Sequence, residues 1–144
     1  MTIAAILRNR GGQEVVSIGR DSQVADAIRL LAERRIGALP VLDGGRVVGV
    51  FSERDVVYCL AAKGADALAL AVGEVMTSPA QTVTPDQIVL GALSLMTRRR
   101  FRHLPVVDSA ESLVGFVSIG DLVKFRIEKI EAEAAAMRDY IQTA

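Results

Sequence analysis

From residue 15 onward the apolar positions change period in a fixed order, and then do so again. Val15–Ile18 and Gln81–Val83 are short, β-branched-rich segments that suit strands. Val24, Ala27, Ile28 and Leu31 then fall at helical spacing, as do Val89, Ala92, Leu93 and Met96. Asp21/Ser22 and Thr84-Pro85-Asp86 precede them as helix-start signals. Glu33-Arg34-Arg35 and Arg98-Arg99-Arg100 close the two helices with polar ends. Next come ALPVLD and RVVGVFS, joined through Asp43-Gly44-Gly45, whose glycines supply the positive φ of a tight hairpin. HLPVVDSAESLVGFVS is the counterpart, with a longer and more polar loop. Pro40 and Pro105 belong at strand starts or edges, because proline cannot donate to a ladder. A second helix is predicted from Glu53 and from near Ile119, so the pattern reads β-α-β-β-α twice.

The two passes are copies. RRIGALPVLD (34–43) aligns without a gap on RRFRHLPVVD (99–108). Going backwards, Ile18 pairs with Val83, Asp21 with Asp86, Val24 with Val89 and Ala27 with Ala92. Going forwards, one extra residue in the second hairpin brings Ser52 onto Ser118 and Asp55 onto Asp121. The chain is a tandem duplication with halves of about 60 residues, each too small to bury a secure core alone. Side-by-side packing of the halves is the expected solution. In GVFSERD and GFVSIGD, the Ser and the Asp three residues later form a capping-box pattern at a helix start. The last helix, from Asp121 to about Gln142, carries one apolar stripe: Ile127, Ile130, Ala134, Met137 and Ile141. It is too long and too polar to lie wholly on a small domain, and its outer half is expected to meet another copy of the chain.

Composition narrows the chemistry. Aromatic residues make up 4% and there is no Trp, so the core must be aliphatic. Seventeen basic residues balance seventeen acidic ones, which argues against nucleic acid or an anionic membrane as partner. Cys59 and His103 are each the only residue of their kind, which leaves no disulfide within the chain and no zinc site built on them. The apolar stretch Ile3–Leu7 is too short for a secretory segment, and nothing approaches the roughly 20 apolar residues of a membrane span. A cytoplasmic protein is expected. GADALALAVGEVM (64–76) reads as a linker through a short helix. No nucleophile–base pair, carboxylate dyad or phosphate loop appears, so no enzymatic activity is expected.

The whole pattern resembles a pair of cystathionine-β-synthase (CBS) domains, the tandem called a Bateman module, of the stand-alone bacterial type. The motifs that carry the resemblance are Leu39-Pro40-Val41 and Leu104-Pro105-Val106, with Gly49 to Asp55 and Gly115 to Asp121. VGEVMTSPAQTV (72–83) is similar to the family's usual lead into a second repeat. The resemblance implies an α+β fold: two β-α-β-β-α repeats about a pseudo-two-fold axis, here with a long C-terminal helix. The boundaries it implies are 1–66 for the first repeat with its lead-in, 67–130 for linker and second repeat, and 131–144 for the helix extension. It also implies two clefts between the repeats that hold adenosine compounds: AMP, ADP, ATP, NAD(H) or S-adenosylmethionine. The inosine monophosphate dehydrogenase that carries such a pair has a catalytic barrel, for which this chain has no room.

By that resemblance, Asp55 with Ser52 would recognise a ribose diol in one cleft, and Asp121 with Ser118 in the other. A carboxylate in a helix's first turn offers two acceptor oxygens beside free N–H groups. Arg102 and His103 would reach phosphate in the Asp55 cleft, where the first repeat has only Gly37 and Ala38 to offer in return. The Asp121 cleft would draw on Arg102 and on Arg54, and is expected to be the weaker. Arg98 and Arg99 are expected to lie in water at the helix end. Ile18, Thr82 and Val83 sit where relatives contact adenine, while Val50 and Phe116 on the flanking strands would sandwich it. The implied protein is a regulatory sensor with no catalytic cofactor: an adenine nucleotide is its ligand, a flat homodimer its assembly, and an unidentified effector protein its listener. The competing reading is a nucleotide-independent scaffold with degenerate clefts, its Ser–Asp pairs reduced to helix caps.

Overall fold

The computed structural model describes residues 1–11 and 14–143; Ala144, the end of the expected helix extension, lies outside the described residues. The elements are α1 (Ile3–Asn9), β1 (Ile18–Gly19), α2 (Val24–Arg34), β2 (Ala38–Asp43), β3 (Arg46–Ser52) and α3 (Glu53–Lys63). A 3₁₀ turn (Gly64–Ala69) leads to α4 (Val72–Val75), α5 (Val89–Arg99), β4 (His103–Val107), β5 (Leu113–Ser118) and α6 (Ile119–Thr143). The fold is α+β, built from two equivalent units.

In the first unit β1 runs parallel to β2, with Ile18 opposite Val41, and β2 pairs antiparallel with β3. In the second, β4 pairs antiparallel with β5, and Val83 makes a parallel bridge to Val106 where the first unit has β1. The prolines fit because each faces its partner strand without exchanging hydrogen bonds. Pro40 lies opposite Val50, whose N–H and C=O turn outward to Thr77 at 3.0 and 2.9 Å. Pro105 gives its carbonyl to the Val83 N–H at 3.0 Å. Gly44 and Gly45 have φ of 59° and 82° at the first hairpin tip, as their sequence requires. The two hairpins meet at an Arg46–Ser112 bridge and an Arg46–Glu111 ion pair.

The helix starts differ from the sequence expectation. α2 and α5 begin at Val24 and Val89, after Gln23 and Ile88, and neither preceding side chain caps its helix. Asp21/Ser22 and Thr84-Pro85-Asp86 are extended or turn residues whose backbone is already engaged. The Ser22 and Gln87 carbonyls accept from Val72 and Ile3, and the Arg20 and Pro85 carbonyls accept from Gly73 and Ala4. Both helices close on an arginine in the left-handed region, Arg35 and Arg100.

Those bonds show how each core is completed. Val24, Ala27, Leu31, Leu39, Val41, Phe51 and Cys59 pack with Ala67 and Val72 from the linker. Val83, Val89, Ala92, Met96, Leu104, Val106, Val117 and Leu122 pack with Ile3 and Ile6 from α1. The N-terminal lead-in therefore serves the second unit as the linker serves the first. Two motif glycines follow from it. A Cβ on Gly49 would stand 2.8 Å from the Thr77 carbonyl and 2.5 Å from the Met76 sulfur, and one on Gly115 would stand 2.6 Å from Leu7. α6 is one continuous helix from Ile119, with Leu122 its buried residue and Phe125 half-buried. Among the described residues, no helix is long and apolar enough to cross a membrane.

Candidate functional site

Two clefts open between the units. The first, of about 290 Å³, lies at the N-terminus of α3. Ser52, Glu53 and Arg54 bring the helix start to it, and Val50 comes from β3. Thr77, Pro79, Ala80 and Gln81 form its lead-in wall, and Arg99, Arg100, Phe101, Arg102 and His103 cross from the second unit. The second cleft, of about 500 Å³, repeats the plan: Phe116, Ser118 and Asp121 at the α6 start, Glu14, Val15 and Val16 as wall, and Arg35 to Ala38 crossing over. Gly37 and His103 border both, and a Cβ on Gly37 would lie 3.5 Å from the imidazole.

Both Ser–Asp pairs are formed as helix caps. The Asp55 carboxylate accepts from the Ser52 N–H at 2.9 Å and from the Ser52 hydroxyl at 3.2 Å, while the Asp55 N–H donates to Ser52 Oγ at 3.4 Å. Asp121 accepts from the Ser118 N–H at 2.8 Å, and its own N–H donates to Ser118 Oγ at 3.0 Å. Their outer partners differ. Asp55 is 7% exposed and its second oxygen takes a hydrogen bond from the Thr77 hydroxyl at 2.9 Å. Asp121 is half-buried and ion-paired to Arg10, whose guanidinium also donates to the Phe116 carbonyl at 2.6 Å. Burial alone would raise the Asp121 carboxyl, but the Ser118 hydrogen bonds and the Arg10 charge outweigh it and hold the group below its ordinary value.

The charge in the clefts is unequal. Arg54, Arg99, Arg100 and Arg102 border the first against the single carboxylate of Glu53 at its surface. The second has Arg10 and Arg35 against Glu14 and Asp121. His103 stacks on Phe116 with ring centroids 5.4 Å apart. Its burial lowers the imidazole pKa, opposed by the Asp121 and Glu53 carboxylates and assisted by Arg102.

Of the residues singled out in the sequence, Val50, Ser52, Arg54, Arg102 and His103 come together at the first cleft, with Asp55 just behind Ser52 and Thr77. Phe116, Ser118, Asp121 and again His103 come together at the second. Arg102, expected at both clefts, borders the Asp55 cleft and not the other, and Arg54, expected at the Asp121 cleft, borders the Asp55 cleft instead. Arg54 sits on the first turn of α3, and the 99–103 loop crosses to the first unit, so the 35–38 loop is what reaches Asp121. Arg99 is exposed, as expected, and also borders the first cleft. Ile18 packs beside the first core and Val83 is buried in the second. Thr82 is half-buried, its carbonyl taking a 3.4 Å bond from the Gln81 side chain. These three do not border either cleft; Gln81 and Val16, in the same stretches of chain, do. Sequence reasoning also missed Thr77, Arg10, Arg35 and Arg100. The repeat alignment carried a signal for Arg35 and Arg100, which are equivalent positions. Thr77 and Arg10 lie before the aligned segments and had none.

The CBS domain family profile matches residues 12–62 and 72–128. The chain is 32% identical over 149 aligned residues to the mitochondrial CBS domain-containing protein CBSX3 of Arabidopsis thaliana, covering 98% of this chain and 72% of that protein. Across the first curated relatives it spans between 42% and 72% of their length. Among solved structures it superposes on a protein with CBS domains from Burkholderia ambifaria MC40-6, with TM-score 0.82, 39% identity and coverage of 89% and 95% of the two chains. CBSX2, solved in complex with AMP, superposes with TM-score 0.73 at 29% identity, covering 88% and 96%. With two matched repeats, two equivalent units and a shared fold, the chain belongs to the CBS domain family as a tandem pair.

Proposed function

We propose that this chain is a regulatory module that binds an adenine nucleotide, and that the cleft beside Asp55 is the principal site. The observation that carries the reading is one cleft between the repeats lined by Arg54 from the first and Arg99, Arg100 and Arg102 from the second, with Ser52 and Thr77 on its wall both hydrogen-bonded to the buried Asp55 carboxylate. Ser52 and Thr77 stand between Asp55 and the cleft, so a ribose diol would take over the Thr77 hydrogen bond on Asp55 as it enters. The N-terminus of α3, with Arg54, Arg99, Arg100 and Arg102 around it, suits a phosphate. CBSX2 binding AMP supports the same ligand class. Because the cleft is built from both repeats, the nucleotide would bridge them, and differential affinity for two relative orientations would make the signal. A cytoplasmic homodimer reporting to a separate effector protein completes the reading.

For the second cleft the competing, nucleotide-independent reading is favoured, because Arg10 already neutralises Asp121 and bonds the Phe116 carbonyl. An internal cation there does what a ligand's hydroxyls would do. Unequal affinities follow.

Thermal unfolding against AMP, ADP, ATP, NADH and S-adenosylmethionine tests the proposal. At a hundredfold excess over Kd a ligand adds about 2.7 kcal/mol, which for a chain of this size raises the midpoint by about 5–10 °C. A rise of that order with at least one of them is expected. No rise with any, in folded protein free of co-purified nucleotide, would overturn the reading.

A further inference from the structure

The α6 helix divides its faces. Leu122 and Phe125 turn toward the second core, whereas residues 127–143 are exposed throughout. That outer part is about 25 Å of helix without a partner among the described residues of its own chain. An isolated helix of this length is marginal in water. Its apolar residues are not scattered: Ile127, Ile130, Ala134, Met137 and Ile141 follow spacings of three, four, three and four, with Val123 before them. Written as heptads with Ile127 at a, the seam takes a and d, while Leu122 and Phe125 fall at c and f on the opposite side. Packing within the chain therefore leaves the seam free.

We infer that residues 123–141 form a parallel two-stranded coiled coil with the same segment of a second copy of this chain. The flanking charges select the occupant and its direction. The e positions are Lys124, Glu131 and Arg138, and the g positions Arg126, Glu133 and Tyr140. In a parallel pair each g residue faces the e residue five positions on in the partner, so Arg126 meets Glu131 and Glu133 meets Arg138, each twice. In the antiparallel register that buries the whole seam, Glu131 faces Glu131, Glu133 faces Glu133 and Lys124 faces Arg138, all like charges. A membrane surface is a poorer occupant, because α6 carries four basic and five acidic residues rather than a basic polar face.

The inference is independent of nucleotide binding, and its test uses the full chain without ligand. Met137→Cys, at a d position, should form an inter-chain disulfide readily under mild oxidation, whereas Glu128→Cys, at b on the outer face, should not. Cys59 is buried and common to both variants. Glu133→Arg should reduce the Met137→Cys cross-link several-fold, and adding Arg138→Glu should restore it. These positions are exposed, so folding is preserved. Absence of the Met137→Cys cross-link, or equal cross-linking at Glu128→Cys, would overturn the parallel coiled coil. A cross-link insensitive to the charge reversal would overturn the pairing that sets its direction.

Discussion

His103 shows how one residue's surroundings redirect its role. Its position two before Pro105 made it a candidate cation for phosphate, but burial lowers its pKa, so at neutral pH it is an uncharged donor stacked on Phe116. The cationic work in the first cleft falls to the arginines. A group whose folded pKa lies below its ordinary value, here 6.5, favours the folded state above that value. Its contribution is lost as pH falls from 6.5 through the folded pKa. A bound phosphate would oppose that loss by stabilising the imidazolium. The phosphate itself loses charge between about pH 7.5 and 5.5, so the expected signal is a difference: on binding AMP the wild type should take up more protons than His103→Gln, and its affinity should fall less, or rise more, as pH is lowered. Calorimetry in buffers of different ionisation enthalpy measures the proton directly; equal uptake in the variant would remove His103 from the account. None of this was legible in the sequence, which places His103 beside Arg102 but cannot say how far it is buried.

At the scale of elements, the hairpins and the α3 and α6 starts were legible, because alternation, paired glycines and the Ser–Asp spacing are local signals. The role of α1 was not. Ile3 and Ile6 read as a short apolar stretch with no partner, and the segment that receives them lies some eighty residues away in sequence, around Val83 and Val89. The displaced starts of α2 and α5 have the same origin, since long-range backbone bonds from Val72 and Ile3 engage the Ser22 and Gln87 carbonyls at bends just before each helix. Completing each core from outside its aligned repeat also supplies the cleft walls: Thr77 follows α4 and Arg10 follows α1. If α1 is part of the second core, Ile3→Ala, at a fully buried site, should cost about 2–5 kcal/mol in urea unfolding. A loss below about 0.5 kcal/mol would mean that α1 is only laid against the surface.

For the molecule as a whole, the duplication predicts two equal clefts, and the structure gives two unequal ones. The inequality was partly legible in Gly37 and Ala38 against Arg102 and His103. Its larger part, Thr77 on Asp55 and Arg10 on Asp121, arises where the duplicated pattern breaks down, in the segments that lead into each repeat. Sequence symmetry locates the two clefts, and on the proposed reading the asymmetric lead-ins decide which one takes the ligand.

Calorimetric titration of AMP into the wild-type chain, Asp55→Ala and Asp121→Ala is the most direct test of that claim. Circular dichroism should first show that both variants are folded. The expected result is binding to the wild type that weakens at least tenfold, about 1.4 kcal/mol, in Asp55→Ala and stays within about twofold in Asp121→Ala. Loss of binding in Asp121→Ala with Asp55→Ala unaffected would contradict it.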